Sequence, residues 1–352
     1  MTVKGHHIVE EDIELILDSF GDWEEFRDKT ILISGANGFL PSYMIFALLK
    51  ANEKFRLNLY IIGLVRNREK AEKKFSNHLG DFFSLLVQDV TQSISVGKKL
   101  DIIIHAASQA SPKFYGVDPV GTLNANVLGT NNLLLLAKEH NVQSFLFFSS
   151  SEVYGEVAEM FIPIKENGFG YLDITNVRSC YAEGKRLGET MCVSWLIQYN
   201  VPVKIVRPFH TYGPGMDLND GRVFADFVSN VVNGKDIVLK SDGSAKRAFC
   251  YLADAVLGFL TVLIRGKNGQ AYNVGNPDTE ISIYDLALLL TSLYSEKGIK
   301  VVREINENSS YLKSSVSRNS PNIDKLVALG WRPSTTLSKG FSKTIDSYGW
   351  SV

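Results

Sequence analysis

Cysteine is scarce: Cys180, Cys192 and Cys250 are the only three in 352 residues. Their number is odd, and their spacing fits neither a disulfide framework nor a zinc site. A fold stapled by bridges is excluded, and a reducing compartment, the cytoplasm, is expected. Net charge is also small, −1 from 37 basic and 38 acidic residues, so no excess of positive charge points to nucleic acid or an anionic membrane as partner. No apolar run approaches the ~18 residues that a membrane span needs. The opening MTVKGHHIVEEDIELILDSF is acidic and lacks the apolar core of a signal peptide. His6 and His7 fall short of the closed ligand set a metal requires, so no metal is expected. Internal repeats and low-complexity stretches are absent as well.

What is there is an ordinary globular composition, long enough for one large domain or two interleaved lobes. Residues 8–28 read as an acidic amphipathic helix with Ile13, Ile16, Leu17 and Phe20 on one stripe. Strands at 30–33, 57–65, 101–105, 144–149 and 203–206 then alternate with helices at about 41–50, 67–79, 119–140 and 180–199. That alternation predicts an α/β fold, a Rossmann-type doubly wound parallel sheet covered on both faces. After residue 207, glycine, proline and short segments dominate. Helices at about 222–234, 282–297 and 321–329 and strands near 237–240 and 271–274 predict a smaller α/β substrate lobe over the carboxyl ends of the parallel strands. The expected organisation is an N-terminal helical extension (1–28), a dinucleotide-binding domain (29–207) and a substrate-binding lobe (208–352) interleaved with it.

The first strand runs into Gly35-Ala36-Asn37-Gly38-Phe39-Leu40-Pro41. Two glycines at this place let the backbone turn sharply and approach a pyrophosphate at a helix N-terminus. Two features of the usual pattern are missing. Pro41 stands where the third glycine is expected, and the second strand ends Leu64-Val65-Arg66-Asn67-Arg68 without the acid that holds an adenosine ribose. An arginine there can accept a 2′-phosphate instead, so Arg66, with Arg68, opens the choice between NAD and NADP. Asp89 and Val90, after a further short strand, and Ala106-Ala107-Ser108, after the next, complete the expected cofactor contacts.

Tyr181 and Lys185 lie four apart on a helix and hence on one face. The strand before it ends Ser149-Ser150-Ser151-Glu152. An alcohol that loses a hydride must also lose a proton. A phenol near pKa 10 is a poor base at neutral pH, and a neighbouring ammonium would favour its phenolate. Ser150 is placed to hydrogen-bond the same substrate oxygen.

With these motifs the chain resembles the extended short-chain dehydrogenase/reductase family of nucleotide-sugar epimerases, dehydratases and decarboxylases, from about residue 29 to 345. The similarity is densest in SSSEVYG (149–155), RSCYAEGKRLGE (178–189), GPGMDLNDGRV (213–223), RAFCY (247–251) and YNVGNP (272–277), where the UDP-glucuronate decarboxylases are nearest. The resemblance implies that Ser150 takes the serine/threonine role, that Tyr181 is the acid/base, and that Lys185 holds the nicotinamide ribose. It implies that Glu152 acts near the sugar's C5 and Arg318 near a departing carboxylate. Tyr115, Ser151, His210, Arg222, Val223 and Arg247 are then expected to line the nucleotide-diphosphate sugar. His210 stands where those decarboxylases carry asparagine. Glu152 and Arg318 could instead pair with each other as a structural ion pair.

The resemblance implies a 4-keto sugar intermediate, from which decarboxylation or epimerisation follows with the hydride returned. Elimination is disfavoured, because Ser151-Glu152 supplies one carboxylate where the dehydratases have two. A 4-ketoreductase consuming NADPH fits Arg66, Pro41 and His210, and a non-catalytic dinucleotide binder is the remaining alternative. In this family the helices near 119–140 and 180–199 pair between subunits. With apolar residues beyond one face (Leu133 to Leu136, Met191, Trp195, Tyr199), they lead us to expect a homodimer.

Overall fold

The computed structural model describes residues 6–304 and 316–349. Its first half runs α1 (His7–Phe20), β1 (Thr30–Ser34), α2 (Phe39–Phe55), β2 (Tyr60–Val65), α3 (Arg68–Phe75), β3 (Phe83–Val87), β4 (Ile102–His105), α4 (Pro112–Tyr115), α5 (Pro119–His140), β5 (Ser144–Phe148), α6 (Ser179–Tyr199) and β6 (Val203–Pro208). There follow β7 (His210–Tyr212), α7 (Val223–Val232), β8 (Ile237–Leu239), β9 (Lys246–Tyr251), α8 (Leu252–Arg265), β10 (Ala271–Val274), β11 (Glu280–Ser282), α9 (Ile283–Leu293), β12 (Val301–Arg303), β13 (Arg318–Asn319), α10 (Asp324–Val327) and α11 (Leu337–Asp346).

Seven strands form one parallel sheet in the order β10-β6-β5-β4-β1-β2-β3. Their apolar, β-branched runs suit burial on both faces. Strand order reverses between β1 and β4, so the loops at their carboxyl ends part there and leave a crevice. The ends of β1, β2, β4 and β5 carry Gly35, Arg66, Ala106 and Ser150 to this one edge. The smaller lobe lies beyond: β9 pairs with β7, β11 and β13, and β8 pairs with β12.

Two expectations are corrected. The strand at 271–274, assigned by its place in the chain to the smaller lobe, is β10 and extends the main sheet beside β6. The helix α8 was not anticipated. Twelve of its fourteen residues are buried, although Asp254, Gly258, Thr261 and Arg265 fall on one stripe at helical spacing.

Helices α5 and α6 pack side by side. Leu133, Leu134 and Leu136 sink into the chain's own core, and Met191 and Trp195 pack against it. The large apolar side chains these helices leave exposed are Val120, Leu123, Leu128, Leu135, Leu187, Val193, Ile197 and Tyr199. Of the residues expected to be in surplus, only Leu135 and Tyr199 are among them. Helix α1 lies against α8 and α2, with Asp12 fully buried on its inner face. The Asp12 carboxylate accepts hydrogen bonds from the Tyr43 (2.8 Å) and Tyr251 (2.6 Å) hydroxyls and from the Lys343 ammonium (2.8 Å).

Candidate active site

The turn after β1 is closed by contact rather than by side chains. Gly35 has φ +66°, and a Cβ there would stand 2.8 Å from the Ala107 Cα, so glycine alone fits. The Gly38 amide donates to the Gly35 carbonyl (2.8 Å), and Gly38 caps α2, which Phe39 and Leu40 open. Pro41 falls in the first turn of that helix, where its missing N–H has no intrahelical partner to lose. Across the crevice the amides of Ala106 and Ala107 both donate to Ser34 Oγ (3.1 Å each). Ser108 Oγ is buried with no partner among the described residues. A bare backbone cradle at a helix N-terminus with an unsatisfied hydroxyl beside it fits the pyrophosphate of a dinucleotide. Gly35, Asn37, Gly38, Phe39 and Leu40 would hold it.

Arg66 is mostly exposed and lies 3.8 Å from Asp89, whose carboxylate also accepts from the Thr91 amide. Arg68 is taken by Glu72 within its own helix (3.1 Å). Val90 is buried against Gly129 of α5, which makes it a packing residue of this strand end. Lys74, unremarked in the sequence, reaches back from α3 to the Asn37 carbonyl (2.9 Å).

Ser150 follows β5 and caps the short turn Ser151–Tyr154, accepting from the Glu152 amide (3.2 Å). Its hydroxyl lies near enough to the Tyr181 phenol to pull that group's pKa down. Tyr181 and Lys185 lie one turn apart on α6 and are both buried. The Lys185 ammonium donates to the Phe148 carbonyl (2.7 Å) and sits 5.8 Å from the centre of the Tyr181 ring. Serine, tyrosine and lysine are thus brought together at one point, but the expected electrostatics need correction. Burial pushes the Tyr181 phenol up, and the Ser150 hydrogen bond and then the Arg222 charge pull it back. Burial lowers Lys185 to about 7, so at neutral pH its charge is only partial.

A buried brace that sequence reading missed supports this centre. Glu189, on α6, takes a two-pronged ion pair from Arg207 on β6 (2.8 and 2.6 Å) and a hydrogen bond from Ser149 Oγ (2.5 Å). It therefore anchors the strand end next to Ser150. Asn126 of α5 touches Gly184, between Tyr181 and Lys185, and its Oδ1 is buried without a partner among the described residues. A polar residue on a helix with almost no amphipathic bias gave no signal to follow.

The sugar side is assembled from several loops. Tyr115 stacks on Tyr181 (5.2 Å between ring centres, 14° between planes), and its hydroxyl donates to the Ala110 carbonyl (3.0 Å). Arg222 donates to the same carbonyl (2.9 Å) and pairs with Asp220 (2.9 Å). Val223 begins α7 directly behind it. His210 packs edge-on against Phe224 and Phe249. Burial, then the Arg247 and Arg222 charges, lower it well below the ordinary imidazole range, so it is a neutral ring. Its Nδ1 is buried without a partner among the described residues. Arg247 donates to the carbonyls of Lys246, Val316 and Ser317. Glu152 lies 3.6 Å from Arg178, and Arg178 is over the Tyr115 ring. Arg318 is forked onto Glu280 (2.5 and 2.8 Å), with Glu159 3.6 Å away. Glu152 and Arg318 are therefore not each other's partners. Ser151 is buried and touches Asn319, the neighbour of Arg318 (3.5 Å). Among the described residues no cluster of metal-ligating side chains occurs.

A hydroxyl–phenol pair over a lysine, beside a dinucleotide cradle, is equipped to move a proton while a hydride leaves. Residues 31–275 match the model of the NAD dependent epimerase/dehydratase family. The chain belongs to that family. It is 34% identical over 313 residues to UDP-glucuronic acid decarboxylase 3 of Arabidopsis thaliana, covering 88% of this chain and 86% of that one. In structure it is similar to a UDP-glucuronic acid 4-epimerase from Bacillus cereus in complex with UDP-glucuronic acid and NAD, at TM-score 0.76 and 23% identity, over 91% of this chain and 98% of that one. It is also similar to RMD from Pseudomonas aeruginosa complexed with NADPH, at TM-score 0.71 and 23% identity, over 92% of this chain and 100% of that one. The nicotinamide dinucleotide of the family is thus the cofactor, and the Rossmann-type fold is shared.

Proposed function

We propose that this enzyme modifies the sugar of a nucleotide-diphosphate sugar through a 4-keto intermediate, as a decarboxylase or epimerase acting on a UDP-glucuronate-like substrate. The observation that carries the reading is the convergence of Ser150, Tyr181 and the buried Lys185 at the end of β5, with the Lys185 ammonium 5.8 Å from the Tyr181 ring centre. When bound, the dinucleotide supplies a hydride acceptor that the protein itself lacks. Ser150 and Tyr181 hold the C4 hydroxyl, and Tyr181 receives its proton as the phenolate, an ionisation that Ser150 and Arg222 favour against the cost of burial. Lys185, fixed at the Phe148 carbonyl, binds the ribose side and sets the phenol's position. A ketone at C4 makes a C5 carboxylate a β-keto acid. Glu152, drawn to the mouth by Arg178, stands ready at C5, and Arg318 receives the carboxylate. Arg222 and Arg247 are assigned to the diphosphate, with Tyr115, Ser151, His210 and Val223 around the sugar and base.

The test is to incubate the purified protein with UDP-glucuronate and follow products by mass spectrometry, after identifying any dinucleotide released on denaturation. Loss of carbon dioxide, or an epimer of unchanged mass, supports the reading. No turnover of UDP-glucuronate, with reduction of a 4-keto-6-deoxy nucleotide sugar by NADPH instead, supports the ketoreductase, which the neutral His210 and exposed Arg66 favour. The outward apolar residues of α5 and α6 support a homodimer, and three buried free thiols suit the reducing cytoplasm.

A further inference from the structure

Asn319 Oδ1 and His210 Nδ1 are both buried without a partner among the described residues. The smaller lobe sets them on one wall. Strands β13 and β7 each pair with β9, Asn319 opposite Arg247 and His210 opposite Phe249. Residues two apart on a strand face the same side, roughly 7 Å from each other. At one end of this wall Asn319 Nδ2 reaches Ser151 Oγ (3.5 Å), and Ser151 follows Ser150. At the other end the charges that act on His210 are Arg247 and Arg222, the pair assigned to the diphosphate. A hexose ring lies between its C4 hydroxyl and its C1 phosphate, so the ring lies against this wall.

Asn319 is also fixed in place. Arg247 donates to the carbonyls of Val316 and Ser317 ahead of β13, and the Ile164 amide donates to the Ser320 carbonyl behind it (2.9 Å). Asn319 is only 8% exposed. An amide oxygen accepts and cannot donate, and a neutral imidazole keeps one nitrogen of each kind. Left empty, such buried atoms cost free energy that a ligand hydroxyl recovers. We infer that Asn319, with His210 beside it, determines sugar specificity by accepting a hydrogen bond from a ring hydroxyl other than the one on C4. A site built to bond a hydroxyl rejects an analogue that lacks it far more strongly than an apolar pocket rejects a changed methylene. The inference rests on the nucleotide-sugar reading above, and it concerns binding, whichever reaction follows.

Isothermal titration of the full chain, saturated with its dinucleotide, tests it without turnover. The ligands are UDP, UDP-glucose and the 2-, 3- and 6-deoxyfluoro forms of UDP-glucose, since fluorine cannot donate. In the wild type, UDP-glucose should bind more tightly than UDP, and one fluorinated form should bind at least about tenfold more weakly than UDP-glucose. Asn319→Leu, close in shape, should weaken UDP-glucose by about ten- to a hundredfold. It should leave UDP and the dinucleotide unchanged and erase the penalty of that one fluorinated form, as two changes at one contact are not additive. Unchanged binding of UDP-glucose in Asn319→Leu, an equal loss for UDP, or the same fluorine penalty in both proteins would overturn the inference. Should the variant not fold, the wild type still decides: equal affinity for all four UDP-sugars means that no hydroxyl is read, and the inference falls. No turnover of UDP-glucuronate would end the decarboxylase reading alone. A chain that binds neither UDP nor any UDP-sugar would end both.

Discussion

Tyr181 and its neighbours make sharp demands on single substitutions. Tyr181→Phe removes the proton acceptor and keeps the stack on Tyr115, so turnover should fall by about 10²–10⁴-fold with little change in melting temperature. Stopped-rate assays with calorimetry on the same preparation check both halves. A merely structural tyrosine would reverse the pattern. His105 makes a pH prediction. It is fully buried between Ser34 Oγ (2.8 Å) and Thr130 Oγ1 (3.1 Å), and burial, then Lys185, hold it well below the ordinary imidazole range. Below about pH 6.5 the unfolded chain therefore binds a proton that the folded chain refuses. The stability is fully present above that pH and is lost as pH falls, by up to about 1.4 kcal/mol per unit. Urea midpoints between pH 7 and 5 should show this decline, shallower by about one proton in His105→Asn. Tyr181 and Lys185 were legible because residues four apart on a helix share a face, and Ser150 because it ends a serine-rich strand. Glu189, Arg207 and Lys74 were not, because an acid or a base outside any motif gives no sign of which partner the folded sheet will bring to it.

At the scale of elements, the turn between β1 and α2 is the least tolerant. Gly35→Ala forces a side chain into a positive-φ position and against Ala107. Dinucleotide binding should become undetectable by titration even if the fold survives. The clasp on α1 makes a complementary prediction. Asp12→Ala leaves two buried hydroxyls without their acceptor and Lys343 without its buried counter-ion, and should cost about 3–5 kcal/mol in a denaturant titration. A loss below 1 kcal/mol would mean that α1 contributes little to the fold. The same elements show how far periodicity reaches. The α1 stripe of Ile13, Ile16, Leu17 and Phe20 is buried as its spacing predicts. In α8 the period is carried only by Asp254, Gly258, Thr261 and Arg265 on one stripe of an otherwise apolar run. The short strands β7, β9, β11 and β13 pair across long stretches of sequence, which composition does not encode.

For the whole molecule, the outward faces of α5 and α6 are the place to look for a second subunit. Ile197 is 78% exposed, far more than a side chain of its size needs to be in a monomer. Light scattering at micromolar concentration should give twice the chain mass, and Ile197→Glu combined with Leu187→Glu should return it to one. A monomeric wild type would remove the dimer from the proposal and leave the active site intact, since every residue assigned to it comes from one chain. The change of texture after residue 207 is the sequence's basis for the proposed division at 208. That β10 crosses back to finish the main sheet was not legible, since a four-residue strand carries no record of which sheet it joins.

The Asp12 clasp also has a meaning during synthesis. Its acceptor is made well before the Lys343 donor, which lies 331 residues further along the chain. At roughly 5–20 residues per second of translation, the helix emerges from the ribosome with a carboxylate that must wait about 20–60 s for its lysine. Until then Asp12 has the Tyr43 and Tyr251 hydroxyls as partners but no buried counter-ion for its charge. The final docking of this helix therefore waits for residue 343, so a message truncated shortly before Lys343 should yield a protein whose main sheet is complete and in which α1 is held less firmly.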